Sequence, residues 1–311
     1  MKMLISGGNG FLGSYLVERA LVNGIEVTVV DDLSTSKDIQ VPKEANFIKK
    51  KIEKFSTKEK FDFIVHMAAR PSPEDYIKKP LRTIMSNSIG TYKLLELARK
   101  SNAVFMYTSS SEVYGDASII PTPEEYYGYV NPNGIRSCYD ESKRFSEALI
   151  MSYKRAYDLD VRIQRPFNVY GPRIRADGFY GRVIPRFIMQ ALENRPLTVH
   201  GDGMQTRSFL YISDWLEATW KLITIKEPKY RIINIGSDRE IAIVELAKLI
   251  KSLTNSNSKI ISIEKREDDP QRRAADIKKA NEMLGFKPNI KLEDGLAETI
   301  GWFRSKMGQL E

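Results

Sequence analysis

The sequence predicts an α/β fold, a doubly wound parallel sheet followed by a smaller C-terminal α/β lobe. Three observations carry this. Short apolar, β-branched segments alternate with amphipathic helical segments through the first half of the chain. A glycine-rich turn, Gly7-Gly8-Asn9-Gly10-Phe11-Leu12-Gly13, joins the first such strand to the first helix. Beyond Gly171-Pro172-Arg173 the texture changes, with loops rich in Gly, Asp and Arg between shorter helices.

Taken in order, residues 2–6 form a buried strand. Leu12, Tyr15, Leu16, Arg19 and Ala20 then recur at helical spacing until Asn23-Gly24 stops the helix. Residues 26–30 make a second strand, closed by Asp31-Asp32. Residues 61–67 and 104–108 are further buried strands with a helix near 83–100 between them, and a helix over 139–157 leads into a strand at 161–164. In the second half, helices at 183–193 and 213–224 alternate with loops at 177–182 and 201–207. A strand at 231–235, a helix at 244–253, the charged segment 268–273 and a helix near 292–306 complete the chain. Residues 1–171, joined by a returning segment near 209–240, read as one domain, and 172–311 as mainly the second lobe. There is no internal repeat.

With 311 residues, 42% hydrophobic and 28% charged, the composition excludes a disordered or fibrous chain. The one cysteine, Cys138, excludes an internal disulfide and a cysteine-rich metal site, and fits a reducing cytosol. Cys138 reads as a small packing residue. No metal site is expected. The surplus of 48 Lys+Arg over 40 Asp+Glu is scattered, without a basic arm carrying interleaved aromatics. It points to an anionic small molecule and away from nucleic acid. No apolar run approaches the roughly 20 residues of a membrane span, and no leader pattern precedes the first strand, so a soluble cytoplasmic protein is expected.

The glycine turn carries the first chemistry. Gly7, Gly10 and Gly13 let a backbone approach a pyrophosphate, and the helix N-terminus offers amides and positive potential. Asp31 ends the next strand 18 positions beyond Gly13, where it would accept hydrogen bonds from an adenosine ribose and repel a 2′-phosphate. Asp32, Leu33, Ser34 and Thr35 follow with no arginine, which favours NAD over NADP. By itself the triplet would serve equally as a tight turn with a helix cap.

Tyr139 and Lys143 lie one helical turn apart. A nearby ammonium and a nicotinamide cation would both favour the phenolate, lowering the tyrosine toward the working range of a general base. Thr108-Ser109-Ser110-Ser111 follows a strand, and Ser110 is placed on the substrate hydroxyl, relaying its proton to Tyr139. An isolated Tyr-x-x-x-Lys would read as a surface pair; here it follows a dinucleotide turn.

With these residues the chain resembles the extended short-chain dehydrogenase/reductases acting on nucleotide sugars, over essentially its full length. Within them it is similar to the branch that decarboxylates UDP-glucuronate. Carrying the resemblance are Ser111-Glu112-Val113-Tyr114-Gly115-Asp116, and Asn131-Pro132 with Gly134, Arg136 and Cys138-Tyr139-Asp140-Glu141 to Lys143-Arg144. Further on stand Phe167-Asn168, Gln205-Thr206-Arg207 and Asp268-Asp269-Pro270-Gln271-Arg272-Arg273. The resemblance implies a Rossmann domain and NAD held by the glycine turn, Phe11, Leu12, Asp31, Asp32, Leu33, Ala68, Ala69, Asn87, Ser109, Tyr139 and Lys143. It implies a UDP-sugar at Ser72, Tyr76, Ser110, Asn168, Arg182, His200, Arg207 and Arg273, with the uridine near residues 197–200.

It further implies catalysis by Ser110, Tyr139 and Lys143, with Glu112 and Arg207 near C5 and the carboxylate. Glu112 can equally serve its own loop amides, and Arg207 the diphosphate. A 4-epimerase remains the alternative. A 4,6-dehydratase would carry Asp at Ser111, and a non-catalytic NAD-binding regulator would not need the intact Ser110, Tyr139 and Lys143. The chain departs from the decarboxylases at Arg70, at Lys49-Lys50-Lys51 and at His200. His66 is expected to pack structurally. Apolar surfaces on the helices near 83–100 and 139–157 imply a homodimer through a four-helix bundle.

Overall fold

Continuous apolar runs make the central strands, because a parallel sheet is covered on both faces. The computed structural model describes residues 1–36, 39–176, 182–265 and 270–308. Residues 177–181 of the expected loop, and Asp268 and Asp269 of the charged segment, lie outside them. The first half runs β1 (Lys2–Ser6), α1 (Phe11–Val22), β2 (Glu26–Asp31), β3 (Asn46–Lys49), β4 (Phe63–His66), α2 (Pro73–Lys78), α3 (Pro80–Ser101), β5 (Val104–Thr108), α4 (Ser137–Tyr157) and β6 (Val161–Pro166). The second half runs β7 (Val169–Tyr170), α5 (Val183–Leu192), β8 (Leu197–His200), β9 (Thr206–Ser208), β10 (Leu210–Tyr211), α6 (Ile212–Thr224), β11 (Ile232–Ile235), β12 (Glu240–Ala242), α7 (Ile243–Thr254), β13 (Ile260–Ile263), β14 (Arg272–Arg273), α8 (Lys278–Leu284) and α9 (Leu292–Met307).

Seven strands form one parallel sheet in the order β11-β6-β5-β4-β1-β2-β3. The order reverses at β1, so a crevice opens between the carboxyl ends of β1 and β4, where such sheets bind ligands. Met3, Leu4 and Ile5 of β1 are fully buried. Under one face, Ile5, Val17, Val29 and Val65 belong to a core that continues through Phe187 and Trp215 to Leu246, Ile250 and Phe303. On the other face, Leu4, Ile64 and Phe105 pack with Leu94 of α3 and Ile150 of α4.

The lobe carries three small sheets, β7 beside β10, β8 beside β13, and β9 between β12 and β14. The sequence does not predict β3, which has only Phe47 and Ile48 as apolar residues and forms by pairing Asp31 with Lys49 in register. α3 starts earlier than the sequence predicts, with Pro80 in its first turn, where the missing amide costs no helical bond. Among the described residues, no helix is long and apolar enough to cross a membrane, and no cluster of His, Cys, Asp and Glu could hold a metal ion.

Candidate active site

The crevice encloses about 710 Å³ and runs from the β1–α1 turn to the β9–β14 edge of the lobe. At its β1 end Gly7 has φ 74°, and a Cβ there would sit 2.6 Å from the Ala68 amide nitrogen. A Cβ on Gly13 would lie 2.2 Å from the Gly7 carbonyl oxygen. Only backbone fits at this junction. No side chain caps α1, so Phe11 and Leu12 bring unpaired first-turn amides to the crevice wall. Asp31 accepts the Leu33 amide at 2.9 Å and the Asn9 amide at 3.1 Å, while burial raises its pKa. A cradle without side chains, a helix N-terminus and a half-buried carboxylate fit a dinucleotide.

Asp32, Ala68, Ala69 and Ser109 line the same wall. Two expected cofactor residues do not. Leu33 acts through its backbone, turned at φ 56° to reach Asp31. Asn87 faces between α3 and α4, where its Nδ2 donates to Ser142 Oγ at 2.9 Å, and Ser86 takes its place on the wall. Sequence reasoning passed over Asn9, whose Nδ2 donates to Ser36 Oγ and whose Oδ1 accepts the Gln40 amide, both at 2.7 Å. Its position inside the glycine turn was the available signal.

At the other end, Ser110 caps the short turn Ser111–Tyr114, its Oγ accepting the Glu112 amide at 3.2 Å. Its side chain also faces Tyr139, in the first turn of α4, near enough to favour the phenolate, and the Tyr139 ring stacks on that of Tyr76 at 5.5 Å and 19°. Buried Lys143 donates to the Thr108 carbonyl at 2.8 Å, with Nζ 4.6 Å from the Tyr107 ring centre and 5.8 Å from that of Tyr139. Burial lowers Lys143 to about 7, against the raising charge of Glu147. Burial also raises Tyr139, opposed by the Ser110 hydroxyl and the Arg182 charge. In the chain alone desolvation outweighs every favourable neighbour, and the expected lowering of Tyr139 counts on the nicotinamide cation as well.

A buried network fixes this loop. Glu147 accepts Ser109 Oγ at 2.5 Å and Arg165 Nε at 2.9 Å. Arg165 donates to the Tyr114 hydroxyl, and Tyr114 to Asn234 Oδ1, each at 2.7 Å. Asn234 Nδ2 then donates to the carbonyls of Thr122 and Asp276 at 2.9 and 3.1 Å.

Glu112 sits between two guanidiniums, paired with Arg136 through one oxygen and Arg273 through the other. Arg207 stands beside Arg273 in the β9–β14 register and adds its charge to the same carboxylate. Burial pushes the Glu112 pKa up, but the three arginines outweigh it and hold it below its ordinary range. Arg136 also lies 3.7 Å from Asp140, whose pKa is raised by burial and by Glu112. Arg136 was visible in sequence only as part of a motif, because its partner is 24 residues away.

Ser72, Tyr76, Asn168, Arg182, His200, Arg207 and Arg273 all line the crevice. Asn168 Nδ2 donates to the Ser208 carbonyl at 2.8 Å. His200 Nδ1 pairs with the Glu264 carbonyl at 2.8 Å and Nε2 with Arg186 at 3.0 Å, so both ring nitrogens have protein partners. His66 lies behind the wall, with Nδ1 on Ser6 Oγ at 2.7 Å and its pKa lowered by burial to about 3.

This arrangement can move a proton at Ser110–Tyr139 beside a dinucleotide cradle, with an arginine-rich anion site adjoining. Comparison with known proteins agrees. The chain is 40% identical over 98% of its length to UDP-glucuronic acid decarboxylase 1 of Xenopus tropicalis, covering 73% of that protein. It is 42% identical to UDP-glucuronic acid decarboxylase 5 of Arabidopsis thaliana, over 99% of this chain and 91% of the relative. A UDP-glucose 4-epimerase from Thermotoga maritima, solved with UDP-glucose, superimposes with a TM-score of 0.91 at 30% identity, over 99% of this chain and 100% of that one. Residues 3–236 match one family throughout, and the chain belongs to it: the NAD dependent epimerase/dehydratase family.

Proposed function

We propose that this enzyme converts UDP-glucuronate to UDP-xylose through a 4-keto sugar. The observation that carries the reading is Glu112 held by Arg136 and Arg273, with Arg207 alongside, next to the Ser110–Tyr139 pair. NAD would be held by the Gly7–Gly13 turn, the α1 N-terminus and Asp31. When bound, it supplies reversible hydride acceptance at the sugar C4.

Tyr139 takes the C4 hydroxyl proton through Ser110. Because burial disfavours its phenolate, the reaction relies on Lys143 and on positive charge brought by the ligands. Arg273 and Arg207 grip the sugar carboxylate. Glu112 keeps a negative charge beside it, so the arginines direct the carboxylate without over-stabilising it, which favours the transition state over the ground state. A 4-ketone makes the C6 carboxylate that of a β-keto acid, and CO₂ leaves as electrons move to the ketone oxygen. Tyr139 and Ser110 donate to that oxygen as it becomes enolate. Glu112 orients a water that gives its proton to C5, its hydroxide leaving with CO₂ as bicarbonate, and Tyr139 returns its proton to the C4 oxygen as the hydride comes back to C4. The diphosphate rests on Arg182 and Asn168. Tyr76 and Ser72 flank the sugar, and the uridine meets the wall near His200.

The 4-epimerase reading leaves the arginine-bound Glu112 without a task, and Ser111 cannot supply the acid that a 4,6-dehydratase needs. Leu81, Met85 and Tyr92 stand exposed on α3, as does Phe145 on α4, and they form the two-helix face through which two copies pair into a four-helix homodimer. The unpaired Cys138 fits a reducing cytosol. Incubation with UDP-glucuronate, with and without added NAD⁺, followed by mass spectrometry, tests the reaction. CO₂ loss with UDP-pentose formation supports it. An unchanged mass with a new C4 epimer in the NMR spectrum sinks it.

A further inference from the structure

Three segments far apart in sequence are joined through Arg175 on the crevice wall. One Asp75 oxygen accepts Arg175 Nη2 at 2.6 Å, and the other lies 3.5 Å from Arg70 Nη1. Arg175, on the segment after β7, also donates Nη1 to the Thr35 carbonyl at 3.0 Å. Thr35 belongs to the loop after β2 and Asp75 to α2, which follows β4. Those elements stand on opposite sides of β1 in the sheet. The Arg175 bridge thus spans the carboxyl end of β1 and the glycine turn that starts there.

Arg70 is not satisfied within this cluster. Arg70 is 4% exposed, and neither of its terminal nitrogens has a hydrogen-bond partner. Arg175 pairs with the same carboxylate, and the charges of both Asp75 and Arg175 reach Arg182. A buried guanidinium without full compensation is costly, and a diphosphate is its geometric complement. Thr35, Arg70, Asp75 and Arg175 all line the crevice.

We propose that Arg70, Asp75 and Arg175 form a strap over the diphosphate of the bound dinucleotide and retain it between turnovers. This rests on the NAD reading of the crevice and not on decarboxylation. A reaction that returns its hydride leaves the cofactor as it found it, so slow release has no kinetic penalty, and loss of the reduced form mid-cycle would strand the enzyme. The other diphosphate in reach, that of the nucleotide sugar, shares this chemistry, but the Thr35 contact places the strap on the dinucleotide side.

The test uses the full-length protein loaded with NAD⁺, comparing wild type with Arg175→Ala, Asp75→Asn and Arg70→Met. Release is followed by dilution into a scavenging dehydrogenase, UDP affinity by calorimetry, and folding by circular dichroism. Arg175 and Asp75 are replaced separately so that one folded variant suffices. The proposal expects NAD⁺ release about tenfold faster, with UDP affinity within about twofold of wild type. Unchanged release overturns it, and weakened UDP binding with unchanged release assigns the strap to the nucleotide sugar instead. Release requires no turnover, so this result stands apart from whether CO₂ is formed.

Discussion

Replacing Glu147 with Gln tests the support beneath the catalytic loop. Glu147 and Arg165 are 7% and 8% exposed, and the carboxylate meets the guanidinium through both oxygens while one oxygen also accepts Ser109. A Gln amide keeps one acceptor and turns a donor toward either Arg165 or Ser109, leaving a buried cation uncompensated. Breaking such a pair costs about 3–5 kcal/mol. At about 2 °C per kcal/mol for a chain of this size, Tm is expected to fall by about 6–10 °C. Replacing both partners, Glu147→Leu with Arg165→Met, is expected to recover much of that loss, since no charge is then stranded. Glu147 is also the charge that raises Lys143, so the Gln variant is expected to lose the Lys143 ammonium at lower pH and its activity with it. Thermal melts by circular dichroism and CO₂ release against pH read the two effects. A Gln variant melting within about 2 °C of wild type, with an unmoved pH profile, refutes the reasoning.

Tyr139→Phe is expected to reduce kcat by about 10²–10⁴-fold while calorimetry shows NAD⁺ binding retained, since the ring stack on Tyr76 survives. Gly13→Ala is expected to abolish NAD⁺ binding in the same assay, because its Cβ meets the Gly7 carbonyl oxygen at 2.2 Å and the turn must open. Lys143, lowered from 10.5 to about 7, penalises the fold in full below the lower value, and the penalty fades as pH rises toward the upper one. Lys143→Met is therefore expected to raise Tm more at about pH 6 than at about pH 10, and equal gains at both would count against a buried ammonium. Leu81→Asp, on the exposed face of α3, is expected to halve the mass in light scattering, and an unchanged mass would remove that face from the interface.

The parallel core was legible because it depends on local runs. The strands at 2–6 and 104–108 were read at their observed limits, since Leu4, Ile5, Phe105 and Met106 are buried from both faces and leave no polar alternation. β3 was not legible. Its two apolar residues become a strand only once β2 offers a ladder. The lobe strands β9, β12 and β14 are two or three residues long and exist through pairing across distant segments. At the site, residue types at fixed local spacing, such as Tyr139 with Lys143, could be picked out directly. Partnerships such as Glu112 with Arg273, or Arg175 with Asp75, could not, because 161 and 100 residues separate them and only the fold brings them together. The bond from Asn87 to Ser142 spans 55 residues and was illegible for the same reason.

The Asn234 junction has a consequence for synthesis. The ribosome releases the dinucleotide half first, yet the loop bearing Glu112 is braced from β11 and from the Asp276 carbonyl, and its counter-charge Arg273 emerges with that same late segment. The carboxylate-handling end of the crevice is thus completed only by segments from the far end of the chain. Until the last quarter emerges, Glu112 lacks Arg273, so a premature stop in that region leaves its carboxylate without one of its two paired guanidiniums.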